Sequence, residues 1–129
     1  MALFKGNLWS IVLPPEWVGE HDEDCATIYN PDGAGALQIS AYSKNGDVTK
    51  EDLMGLANEY IPVGAKLTRI EVGQFSGYSV AVGLEGQFWQ YWFVSRKATA
   101  LFVSYNCEEV DRDQEIAQIK GMVSSLAAT

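Results

Sequence analysis

The sequence predicts an α+β fold, a mostly antiparallel sheet of about six to seven strands with two main helices packed on it. Three observations carry that prediction. Short apolar, β-branched and aromatic runs follow one another with turn residues between them. Two stretches instead repeat their apolar residues at helical spacing, Leu53–Ile61 and Ile116–Leu126. Strand runs joined by short turns, with the helices set apart, make a mostly antiparallel sheet. The 129 residues fit one domain, 1–129, with no internal repeat and no linker.

The elements follow in order. Leu8–Leu13 (LWSIVL) is a first strand with Trp9, Ile11 and Leu13 on one face. Pro14-Pro15 ends it, because proline cannot donate to a ladder. Trp17 is an anchor whose buried indole N–H calls for a partner. Glu16–Asp24 gathers Glu16, Glu20, Asp22, Glu23 and Asp24 around His21, the only histidine. Contiguous acids lack the alternate spacing, glycine turn and distal Glu of a calcium loop, and a lone histidine makes no multi-histidine zinc site. A solvated loop without metal is expected there.

Cys25–Asn30 and Ala36–Ser43 form the next hairpin. It turns at Asn30-Pro31-Asp32-Gly33, where Pro31 presets φ and Gly33 accepts a positive φ. Asn45-Gly46-Asp47 is another turn. Thr49 then caps a helix with Asp52 at the third position of a capping box, and Val48 and Leu53 form a hydrophobic staple. Leu53, Leu56, Ala57, Tyr60 and Ile61 make its apolar face, and Pro62 stops it. Lys66–Val72 and Tyr78–Leu84 are strands with a turn at Ser76-Gly77. Asp111 caps a last helix, with Gln114 at its third position and Ile116, Ile119, Val123 and Leu126 as its buried stripe. The helix N-terminus favours the acids Glu108, Glu109, Asp111, Asp113 and Glu115.

Phe88–Cys107 is the centre of the sheet. FWQYWFVS and ATALFVSYNC flank Arg96-Lys97 and form a hairpin. With Arg96 and Lys97 as a two-residue loop, Trp89, Tyr91 and Phe93 share a face with Ala100, Phe102 and Ser104. Trp92 shares the other with Leu101, Val103 and Tyr105. The Trp92 face is expected in the core. The Trp89 face either packs as core or forms a concave apolar surface for a partner, with Trp89, Tyr91, Phe93 and Phe102 as its contact residues.

A net charge of -8 repels phosphate backbones and anionic lipid, so neither nucleic acid nor membrane is an expected partner. A protein or peptide with a basic flank suits it. No apolar leader follows Met1, so a cytoplasmic location is expected, with Cys25 and Cys107 as reduced thiols. There is no G-x-S-x-G elbow, phosphate loop or dinucleotide fingerprint, and no cofactor is expected.

The Leu13-Pro14-Pro15-Glu16-Trp17 corner, followed by a hairpin, a helix, Phe75-Ser76-Gly77-Tyr78 leading a meander and a terminal helix, resembles the PsbP-like superfamily. That group of α/β/α sandwiches includes photosystem extrinsic subunits, a Ran-binding import factor and bacterial DcrB-type proteins. The corner lacks the glycine that often precedes the aromatic residue in that group. The resemblance implies a fold and a habit of binding proteins, in an accessory or chaperone-like role, and carries over no site residue. The alternative is a small-ligand-binding or hydrolytic domain with a pocket between sheet and helix.

Overall fold

The structure, a computed structural model, describes residues 2–129. Its elements run β1 (Ala2–Lys5), β2 (Trp9–Leu13), β3 (Val18–His21), β4 (Ala26–Tyr29), β5 (Ala36–Ser43), α1 (Lys50–Ala57), β6 (Thr68–Val72), β7 (Phe75–Leu84), β8 (Gln87–Arg96), β9 (Thr99–Glu108), a 3-10 turn (Glu109–Asp111), α2 (Arg112–Val123) and β10 (Ala127–Ala128). Seven strands form one antiparallel sheet in the order β3-β4-β5-β9-β8-β7-β6, and β1, β2 and β10 form a second, ordered β1-β2-β10.

The expected hairpin is at the centre of the large sheet. Arg96 pairs with Thr99, so the loop is Lys97–Ala98, one residue later than the sequence suggested. Moving the loop by one residue slides the register by two, which leaves every side chain on its expected face. Phe93 pairs with Phe102, Tyr91 with Ser104 and Trp92 with Val103.

The two faces of this sheet are covered differently. One packs against α2 and the small sheet. Trp92, Val94, Leu101, Val103 and Tyr105 meet Trp9, Ile11 and Leu13 of β2 and Ile119, Met122 and Val123 of α2 there. The other packs against α1, where Phe93, Tyr91, Val80 and Ala100 meet Leu53 and Ala57. We call these the α2 face and the α1 face.

Several local expectations are corrected. Val18–His21 is not loop but an edge strand paired with β4, and of the acidic stretch only 16–17 and 22–24 lie outside strands. An edge strand with exposed Val18, Glu20 and His21 offers no apolar alternation to read. Ser76 and Gly77 lie inside β7. The chain turns instead at Gly73–Gln74, with Gly73 at φ +61°. Gly77 has a packing role, since a Cβ there would collide with the Phe93 carbonyl oxygen. The Asn30–Gly33 turn closes through the Gly33 N–H to the Asn30 carbonyl at 2.8 Å and the Asp32 N–H to Asn30 Oδ1 at 3.0 Å. It does so without a positive φ at Gly33.

The first helix stops at Ala57, well before Pro62. Asn58 caps it, and Tyr60 and Ile61 follow outside the helix. Asp111 stands at the cap of α2 but its side chain makes no capping bond. Trp17 is buried as an anchor, yet its Nε1–H finds no partner among the described residues. An unmet buried donor of this kind costs about 1–3 kcal/mol.

Candidate partner-binding face

The α1 face is set by the cap of its helix. Thr49 Oγ1 accepts from the Asp52 N–H at 3.1 Å, and Asp52 Oδ2 accepts from the Thr49 N–H at 2.8 Å, completing the capping box. Lys44 Nζ donates to the same oxygen at 2.8 Å. These bonds hold the Asp52 carboxyl down at about 2, Lys44 contributing most and Thr49 next. The Val48 N–H bonds the Lys97 carbonyl at 2.7 Å, which fixes the start of α1 over the β8–β9 loop.

Beneath and beyond α1 lies a continuous aromatic ladder. Phe93 stacks on Phe102 with centroids 5.4 Å apart, and Trp89 stacks on Tyr91 at 5.7 Å. Tyr60 lies on Phe102 at 4.3 Å. Phe93 is fully buried and Tyr91 is 8% exposed, so the two are covered. Of the four aromatic residues expected as partner contacts, only Trp89 and Phe102 keep part of their surface open. The reason is α1, whose Leu53 and Ala57 cover the Phe93 end of the strand.

Sequence reasoning assigned Tyr60 to a helix face and gave Tyr42 no role. Both are exposed large aromatics, 44% and 47%, beside the ladder, and Leu84 is exposed at the end of β7. Burial pushes the Tyr42 phenol up, helped by Tyr60 and by the nearby carboxylates Glu59 and Asp24. Burial does the same to Tyr91, with Tyr60 adding to it. Glu20 Oε1 accepts from the Tyr29 hydroxyl at 3.3 Å on the same side of β4. The β4–β5 border of this face is therefore acidic. At the opposite border, Lys50 and Arg69 sit over the Tyr78 ring at 5.9 and 6.0 Å.

Other reactive side chains are placed as follows. His21 stacks on Phe4 at 4.7 Å and shares with Cys25 and residues 22–24 a crevice of about 200 Å³. No cluster of three metal-ligating side chains is present among the described residues. Cys25 and Cys107 are both free thiols. Burial pushes the Cys107 thiol up, the direction opposite to an activated nucleophile.

Glu115, expected as one more acid at a helix start, is instead buried. Its Oε1 accepts from the Tyr105 hydroxyl at 2.8 Å and from the Gly35 N–H at 2.9 Å. Burial, then the bond to Glu115, drives the Tyr105 phenol far above its ordinary range. The only sequence signal for this pair is that Glu115 precedes the apolar stripe of α2 by one residue.

These features define a small α+β sandwich whose one face is largely covered and whose other face is partly bare and aromatic. Comparison with solved structures supports a PsbP-like fold, the one that the order of elements along the chain resembles. The solution structure of cyanobacterial PsbP (CyanoP) from Synechocystis sp. PCC 6803 matches with a TM-score of 0.50 and 11% identity, over 99% of this chain and 92% of that one. A crystal structure from Bacteroides thetaiotaomicron VPI-5482 matches with a TM-score of 0.71 and 20% identity over 95% of this chain. This chain spans 45% of that one, less than half its length. At these identities the likeness establishes fold alone. No known family profile and no curated protein matches the sequence. No helix among the described residues is long and apolar enough to cross a membrane.

Proposed function

We propose that this chain is a cytoplasmic, non-enzymatic protein-binding module of the accessory or chaperone-like kind. It receives an apolar segment with a basic flank on its α1 face. The observation that supports this most is the ladder Trp89–Tyr91–Phe102–Tyr60, half open at both ends and bordered by Glu20, Asp24 and Glu59. Aromatic side chains that are rigid and partly desolvated are the usual anchors of an interface. Carboxylates at the rim add little affinity but select a cationic flank and speed encounter. The overall charge of -8 acts in the same sense. A PsbP-like fold, shared with the cyanobacterial PsbP structure, is compatible with an accessory role.

The test is selection from a random peptide library with the whole chain, run beside the Trp89→Ser/Tyr60→Ser double variant. Enriched peptides should pair an aromatic or aliphatic segment with Lys or Arg, and the variant should bind them about tenfold or more weakly, or 1.4 kcal/mol. Circular dichroism confirms that the variant is folded. Equal binding by both proteins, or enrichment without basic residues, would remove the proposal.

A further inference from the structure

The largely covered α2 face carries two polar residues where its pattern calls for apolar ones. Ser79 of β7 and Gln90 of β8 are 8% and 7% exposed, on the same side as Trp92 and Val94. Gln90 Nε2 donates to the Val80 carbonyl at a long 3.3 Å. Gln90 Oε1 accepts no hydrogen bond among the described residues, and it is not sealed from solvent. The amide oxygen is thus free to accept from a molecule in the cavity, which a leucine of similar size could not do. Both residues line a cavity of about 290 Å³ between the β6–β8 end of the sheet and the last turns of α2. Trp92 and Ile70 supply an apolar wall, and Lys120 and Ser124 stand on the helix side. The Ser124 hydroxyl is occupied, donating to the Lys120 carbonyl at 2.9 Å. Glu71 borders the cavity from the edge strand, but strand alternation turns its carboxylate to the opposite face. Lys120 is thus the one charge directed to the cavity by its lining.

We infer that this cavity binds a small organic acid bearing an amide or hydroxyl group. Its carboxylate meets Lys120, its polar group meets Gln90 and Ser79, and its apolar body lies on Trp92 and Ile70. The volume is just below that of typical small-molecule sites, about 300–1,000 Å³, which suits a ligand of few atoms. The site is on the opposite side of the sheet from the aromatic ladder, so it stands or falls independently of partner binding there.

The test is an NMR titration of the full chain with N-acetylglycine and with lactate, followed at the Trp92 indole and Gln90 side-chain amide signals. Saturable shifts at both positions are expected with at least one probe. Lys120→Met should weaken that binding about tenfold, and neutral N-acetylglycine methylamide should bind about as weakly to the unaltered chain. Gln90→Leu should abolish the response. Lys120 is exposed, so its variant remains informative if Gln90→Leu misfolds. No saturable shift with either acid, or shifts unchanged in Lys120→Met, overturns the assignment. So does a Gln90→Leu variant that melts higher while neither acid binds the unaltered chain, since the cavity is then only a hydrated packing fault.

Discussion

Trp89 and Trp92 lie three residues apart on one strand and meet different surroundings. Trp92 is 2% exposed among β2 and α2, while Trp89 is half-buried at the uncovered end of the α1 face. The strand is the same, so the difference comes from the cover. Seven strands span six spacings, about 29 Å. The eight-residue α1 is about 12 Å long and about 10 Å across. It can shield two or three strands over part of their length. The α2 face has a twelve-residue helix and a three-stranded sheet to do the same work. Whether a β-strand's aromatic residue becomes core or surface is decided here by the length of a helix elsewhere in the chain.

The sharpest way to break this comparison is to truncate both tryptophans. Trp92→Ala should cost about 3–5 kcal/mol, the usual loss for a large buried aromatic. Trp89→Ala should cost well under half of that, because area left in water contributes little transfer energy. Denaturant melts decide it, and equal losses would mean that the two faces are equally closed.

A smaller effect is expected from the buried pair on the α2 face. Tyr105→Phe removes a hydrogen bond to a carboxylate and should cost about 1.5–3 kcal/mol at neutral pH. The Tyr105 phenol is raised in the folded state, so its contribution is complete below the unfolded value of about 10 and is lost as pH climbs above it. Melts at pH 7 and pH 11 should therefore show a shallower alkaline loss in the variant. A parallel loss in both proteins would assign alkaline unfolding to other groups.

The least effect belongs to the exposed cap of α1. The Asp52 carboxyl is depressed to about 2, so its contribution is present above the ordinary carboxylate value of about 4 and fades as pH falls toward 2. Asp52→Asn should remove that acid dependence, seen as a flatter stability profile between those two pH values. If the profile keeps its slope, the Lys44–Asp52–Thr49 cluster is not what titrates there.

The central hairpin was legible because alternation over ten residues survives an error of one residue in the loop. Loop placement was not, since Arg96, Lys97 and Ala98 offer no glycine to mark the turn; Lys97 itself takes the left-handed φ of +53°. The capping box at Thr49 and Asp52 was readable because it is made of near neighbours. β1 and β3 were missed because four-residue edge strands with outward side chains carry no period. Glu115 was misread for a different reason. An acid at a helix start satisfies a local rule, and its partners Gly35 and Tyr105 are 80 and 10 residues away. On the candidate face the aromatic residues were visible in the sequence. Which of them α1 covers depends on where that helix ends, at Ala57, and the apolar residues beyond it gave the wrong limit.

The small sheet has a mechanical consequence. β1 and β10 both run antiparallel to β2, on either side of it, with Ala2 opposite Leu13 and Ala128 opposite Trp9. Tension applied through residues 2 and 128 therefore pulls the two outer strands in opposite directions along the axis of the middle one. The ladder bonds are loaded together in shear and cannot be peeled one at a time. The Gln74 Oε1 bond to the Ala128 N–H, at 2.8 Å, couples this load to the β6–β7 turn of the large sheet. A force trace taken between these two points should begin with one sharp rupture, and a low, stepwise release would contradict it.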